Sequence, residues 1–190
     1  MIVFRNTHIE LAALTNGRSF PRHTHDEFVI SANLNGLEQV WLDGDVLVAD
    51  TQMITTYNPG QVQASMNQAD SWQCVSLYLR SDGFEHYFHR RVQFNQGGLM
   101  SPELSARLKN LILQPQEDAR LREEAAVMLL ADLQNLTGTA CSPRDARGES
   151  HRARRVKALM LDDISQTIGL EALARREGVS AAHLVHAFAV

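Results

Sequence analysis

The feature that most constrains the fold of this chain is a change of hydrophobic period near residue 100. From residue 8 to about 80, short alternating or apolar runs are separated by turn residues, the pattern of antiparallel strands. The run "EFVISANL" leads to Asn35-Gly36, and "LEQVWL" leads to Asp43-Gly44 ahead of "DVLVAD". Both dipeptides favour the positive backbone angles of tight hairpin turns. After "QMITT", Pro59-Gly60 marks a further turn before "QVQASM" and the long run "SWQCVSLYLR". Many short strands at this spacing predict a sandwich or barrel.

Beyond residue 100 the period becomes helical. Ser101 in "SPEL" is placed to cap a helix whose first position is Pro102, where a missing N–H costs nothing. Leu104, Leu108, Leu111 and Ile112 share one face of it, and Gln114-Pro115 ends it. A second helix takes its apolar stripe from Leu121, Ala125, Met128, Leu129, Leu133 and Leu136, with Arg120, Arg122, Glu123 and Glu124 outside it. Such a pair either completes the core or leaves a stripe free for a partner subunit, so residues 102–137 are the expected homodimer contact. Residues 138–150, "GTACSPRDARGES", have no apolar periodicity and read as a linker. The expected organisation is a mainly β domain with a helical hairpin over 1–137, the linker, and a short all-α segment over 151–190.

Charge follows that division. The chain carries 18 Lys and Arg against 22 Asp and Glu, a net charge of -4, which argues against a uniformly basic nucleic-acid binder. In residues 151–190, however, Arg152, Arg154, Arg155, Lys157, Arg175 and Arg176 outnumber Asp162, Asp163, Glu171 and Glu177. The C-terminal segment is the part suited to phosphate. Cys74 and Cys141 make neither a disulfide framework nor a zinc spacing. "MIVFRNTHIE" lacks the long apolar region of a signal peptide, and no run approaches the ~18 apolar residues that span a bilayer. A cytoplasmic protein is expected.

At the C-terminal end, "HRARRVKALMLDDISQT" reads as a helix with Val156, Leu159, Met160 and Ile164 on one side. In "IGLEALARREGVSAAHLVHAF", Leu170, Leu173 and Ala174 face a core, Gly178 supplies a sharp turn and Val179 packs beneath it. Ser180 then caps a helix that includes Leu184, Val185 and Phe188. These are the elements of a helix-turn-helix, although a generic helical hairpin shares them.

Through Leu170, Leu173, Ala174, Gly178, Ser180, His183, Leu184 and Phe188, this segment resembles the first helix-turn-helix of the AraC/XylS family of bacterial transcription regulators. "FPRHTHDEFVI", Gly36 and "NPGQVQAS" resemble the family's cupin-type effector-binding and dimerisation domain. The resemblance implies a cupin-like, double-stranded β-helix barrel and an effector-responsive regulator that meets promoter DNA through Arg175, Arg176, Ser180, Ala182, His183, Val185 and His186. Family members carry a second helix-turn-helix after the first, whereas this sequence runs to Val190. The expectation is an incomplete DNA-binding part, with specific DNA binding weak or absent.

The other constellation is "HTHDE". On a continuous strand, His23, His25 and Glu27 would point to one face. They would then be hydrogen-bonded without metal, or would recognise a small effector, or would form a facial metal triad. Enzymatic cupins, which the spacing resembles, place a further glutamate where this chain has Val29 and Ile30, and a histidine where it has Gln63. Trp41, Tyr57, Trp72 and Tyr78 would line the same cavity or serve as plain core, and Gln63 is expected to join the ligand contacts there. No cofactor and no enzymatic activity are expected. The alternatives are a metal-dependent cupin enzyme, and a dimerisation fragment that antagonises a full-length regulator.

Overall fold

Alternation along β4 (Glu27–Asn35) separates the layers of the N-terminal unit. Phe28, Ile30 and Ala32 enter one apolar core, whereas Val29 enters another. The neighbouring β9 (Gln73–Arg80) divides the same way. Its Val75, Leu77 and Leu79 join the first core. Its Cys74, Ser76 and Tyr78 stand opposite Asn33, Ser31 and Val29 in the ladder. The computed structural model describes residues 1–15, 19–67, 72–140, 169–176 and 178–181. The chain divides into two units, Met1–Ala140 and Cys141–Val190.

In the first unit a six-stranded sheet runs β1 (Ile2–Arg5), β2 (Ile9–Thr15), β9, β4, β7 (Met53–Tyr57), β11 (Gly98–Met100). A four-stranded sheet runs β3 (Phe20–His23), β8 (Gln63–Asn67), β5 (Glu38–Leu42), β6 (Asp45–Ala49). All these pairings are antiparallel. Val29 and Tyr57 from the large sheet meet Val40 and Leu42 from the small one, closing a cupin-like barrel. The hairpin between β5 and β6 turns on Asp43 at φ 49° and Gly44 at φ 111°, the mirror-image turn that Asp-Gly admits with least strain.

The large sheet's outer face is covered by helices. α1 (Gly83–Phe88), not anticipated from the sequence, places Phe84 against Phe28 and Phe94. α2 (Pro102–Leu113) starts where expected, with Ser101 Oγ accepting from the Leu104 N–H at 3.3 Å, and buries Leu104, Leu108 and Ile112. It packs across β2, β4, β7 and β9, and α3 (Ala119–Thr137) packs on it.

α3 is rotated from the expected stripe. Its buried residues are Arg122, Ala126, Leu129, Leu130, Leu133 and Thr137, while Leu121, Met128 and Leu136 are 52%, 59% and 61% exposed and Ala125 is also exposed. The helix carries two adjacent apolar faces, and the one with small Ala126 fits against the domain. Arg122 tolerates burial because its guanidinium donates to Val3 O at 3.1 Å and to Gln114 O at 3.2 Å.

The expected linker begins later than residue 138. Gly138–Ala140 forms β12, paired with β10 (Val92–Phe94) in a separate two-stranded ribbon, because an extended chain leaving α3 finds a free edge there. In the second unit, α4 (Leu170–Arg176) buries Leu173 and Ala174 against Val179 and Ala181. Gly178 takes φ 66°, and the Val179 N–H returns to Ala174 O at 3.0 Å. The helix expected over 151–167 and the residues from 182 onward lie outside the described residues. Among the described residues, no helix is long and apolar enough to cross a membrane.

Candidate functional site

Where β1 turns into β2, the chain forms one wall of a cleft of about 400 Å³. Asn6 shapes the turn, its Oδ1 accepting from the N–H groups of His8 at 2.9 Å and Ile9 at 2.7 Å. Register sets the remaining wall. Arg5 stands opposite Glu10, Glu10 opposite Tyr78, and Glu27 opposite Arg80. The cleft is thus lined by Arg5 from the end of β1, Asn6 and His8 from the turn, Glu10 from β2, His25 from the segment between β3 and β4, Glu27 from the start of β4, and Tyr78 and Arg80 from the end of β9.

Both guanidinium groups are already matched. Arg5 Nε donates to Glu10 Oε2 at 2.5 Å, and Arg80 Nε donates to Asp82 Oδ1 at 2.9 Å. The hydrogen bond from Arg80 holds the Asp82 carboxyl below its ordinary range. Burial, assisted by neighbouring His23, pushes the His25 imidazole down, against the opposing pull of Glu27 and Asp26. Burial likewise raises the Tyr78 phenol. The cleft therefore offers a His25 imidazole held toward its neutral form and a Tyr78 phenol held protonated, beside His8, Glu10, Glu27 and the two arginines, a mixture of donors and acceptors suited to orienting a small polar molecule.

Of the eight residues expected to contact a ligand, His25, Glu27 and Tyr78 line this cleft. His23 flanks it, 5.0 Å from the His25 ring, but is occupied. Its Nδ1 lies 2.8 Å from Pro21 O and must donate there, which leaves Nε2 to accept from Gln63 Nε2 at 3.3 Å. Trp41 is misplaced by the sequence reading. Val40 and Leu42 face the barrel interior, so period 2 sends Trp41 to the opposite face, where Arg22 covers its ring at 4.2 Å. Tyr57 is core, and burial raises its phenol. Trp72 is buried and donates from Nε1 to Asn33 Oδ1 at 3.2 Å.

The facial triad presupposed one strand through His23, His25 and Glu27. β3 ends at His23 and β4 begins at Glu27, so the alternation breaks between them. No three His, Cys, Asp or Glu side chains stand close enough to hold a metal ion among the described residues. The Cys74 thiol is buried and pushed up to about 12 by that burial, far from nucleophilic thiolate.

Arg5, Asn6, His8, Glu10 and Arg80 were missed by the sequence reading. The signal for the first four was present in "VFRNTHIEL", where an Asn-Thr turn joins two short apolar runs and places Arg5 across from Glu10.

Comparison with known proteins adds the family. The AraC-like ligand binding domain matches residues 8–133, well over half of the sequence. The chain belongs to this family. Every cleft residue from His8 to Arg80 falls within the match, while Arg5 and Asn6 precede it. No curated protein matches in sequence. Among solved structures, unsaturated fatty acid bound ToxT from Vibrio cholerae is similar at 10% identity and a TM-score of 0.57, over 96% of this chain and 73% of that one. An apo form of a ToxT variant from the same organism gives 9% identity and a TM-score of 0.55, over 96% and 75%. An uncharacterized conserved protein with a double-stranded beta-helix domain from Klebsiella pneumoniae gives 19% identity and a TM-score of 0.36, over 43% and 76%. The likeness to ToxT is one of fold.

Of the residues expected at DNA in this AraC-type chain, Arg175 and Arg176 are exposed at the end of α4, and Ser180 is exposed beyond the turn at Gly178. Ala182, His183, Val185 and His186 lie outside the described residues.

Proposed function

We propose that this chain is an effector-responsive transcription regulator. A small polar molecule bound beside His25, Glu27 and Tyr78 shifts the population of states in which the C-terminal segment is presented to promoter DNA. The observation that carries this reading is the cleft itself: polar groups from four strands converge at the mouth of a barrel belonging to a ligand-binding family. Two further observations support its other parts. Leu121, Met128 and Leu136 form an exposed stripe along α3, which fits pairing with a second copy. The helix, left-handed glycine and following turn of residues 170–181 fit the start of a helix-turn-helix, with Arg175 and Arg176 facing solvent. The chain acts by binding rather than by catalysis, and it needs no cofactor.

The test is a thermal-shift screen of sugars, carboxylic acids and aromatic acids against the intact chain. A compound that raises the midpoint for the parent chain but not for His25→Ala supports the cleft. A compound whose shift survives both His25→Ala and Tyr78→Phe excludes it.

A further inference from the structure

The turn after β7 touches the cleft on one side and the exit of the first unit on the other. Gly60 donates its N–H to the carbonyl of His25 at 2.7 Å, which ties the turn to the segment bearing the cleft's imidazole. Within the turn, Gln61 Oε1 accepts from the Asn58 N–H at 2.9 Å. The Asn58 side chain reaches the other way, to β10. Its Nδ2 donates to Phe94 O and its Oδ1 accepts from the Phe94 N–H, both at 2.8 Å. One side-chain amide thereby pairs with Phe94 as a residue of an adjacent strand would.

The opposite edge of β10 holds β12, with Val92 across from Ala140, Gln93 from Thr139 and Phe94 from Gly138. The Asn95 N–H continues this pairing to Thr137 O at 3.3 Å. Backbone groups of successive strand residues point to alternate edges. Phe94 therefore turns its bonds to Asn58, while Gln93 and Asn95 turn theirs to β12 and the end of α3. A ribbon of two short strands is marginal in water by itself. This one is held from below by Phe94, whose ring lies 5.6 Å from Phe28 and 5.8 Å from Phe84, and from the side by Asn58. β12 ends at Ala140, and Cys141 opens the second unit.

We propose that Asn58 is a latch between the effector cleft and the exit strand. It holds β12 in place through β10, and its position depends on the segment around His25. The proposal rests on reading the cleft as an effector site and states what that site controls. A ligand that draws the His25 segment toward itself moves the acceptor of Gly60, shifts the turn, and withdraws Asn58 from Phe94. β12 then detaches, and the tether ahead of the second unit gains three residues, roughly 10 Å of reach.

Backbone amide exchange on the full chain tests this without any ligand. Asn58→Ala should speed exchange at Gln93, Asn95 and Thr139 by about tenfold or more, while Val75 and Leu77 in β9 keep their parent rates. Asn58→Asp, which turns an acceptor toward Phe94 O, should act in the same direction. His25→Gly, which loosens the cleft segment, should also speed Thr139 in the parent background but add nothing in the Asn58→Ala background. Parent-like rates at Thr139 in Asn58→Ala overturn the latch. Additive effects of the two substitutions, or no effect of His25→Gly, overturn its link to the cleft. Ligand binding at His25 is measured separately, so either result is distinguishable from failure of the effector reading.

Discussion

Two neighbouring residues on α3 separate the account of the helix from the alternative suggested by simple periodicity. Leu130 is fully buried, whereas Met128 is 59% exposed. Leu130→Ala removes a packed side chain from a core that includes Leu108, Ile112 and Leu133, and should cost about 3 kcal/mol. Met128→Ala should change the stability of the isolated subunit by no more than about 0.5 kcal/mol. Its effect should fall on self-association. A side chain that covers its remaining half in a two-fold interface contributes about 1 kcal/mol, and the symmetry doubles it. The dimer Kd should therefore rise roughly thirtyfold. Urea melts at dilute and concentrated protein read the first quantity, and sedimentation velocity reads the second. Leu130→Ala should lower the dilute-protein midpoint with an unchanged slope. If Met128→Ala lowers that midpoint as much as Leu130→Ala, the assignment of the two faces is wrong.

The buried groups set further expectations. Because burial depresses the His25 pKa, the unfolded chain takes up that proton first, so stability should fall as pH drops below the unfolded value of about 6.5. His25→Gln should flatten that part of the curve in urea melts taken between pH 8 and 5. Glu38 has the opposite sign: burial raises its pKa, against the smaller opposing pull of the nearby polar Ser65 and Asn33 side chains, so its ionisation costs stability as pH rises above the unfolded value of about 4.5. Glu38→Gln should therefore gain stability at pH 7 relative to pH 4; a variant that loses equally at both would contradict this. In a Cys141→Ser background, Cys74 should resist thiol reagents at pH 8 until the protein is unfolded, and rapid labelling of the folded chain would show that its burial is breached.

Much of the barrel was legible because single residues left little choice. The short apolar run from Phe28 to Ala32 is bounded by turn residues, Asp43-Gly44 admits a mirror-image turn, and Ser101-Pro102 announces a helix start. The errors have equally specific causes. Arg122 reads as solvent-facing until two carbonyls are known to await it, and that one residue rotates the inferred face of α3. Trp41 was placed by being aromatic, although the flanking Val40 and Leu42 already assign it to the other side of β5. His23, His25 and Glu27 stay near one another but do not form the expected triad, because the chain leaves the ladder between β3 and β4 and His23 is taken up by Pro21 and Gln63, a break that no residue type in "HTHDE" signals. The cleft wall from Arg5 to Glu10 is a local hairpin written in "VFRNTHIEL", but its meeting with Tyr78 and Arg80 depends on β2 and β4 both pairing with β9, a long-range consequence of the sheet.

The central claim is that an effector binds at the mouth of the barrel and not elsewhere. The most direct measurement is a hydrogen-exchange footprint of the full chain with and without a compound that stabilises it in the thermal-shift screen. Protection concentrated in residues 5–10, 25–27 and 78–80, and abolished by His25→Ala, is the predicted result. Protection confined to α2 and α3, or to the outer face of the four-stranded sheet around Trp41, would contradict it.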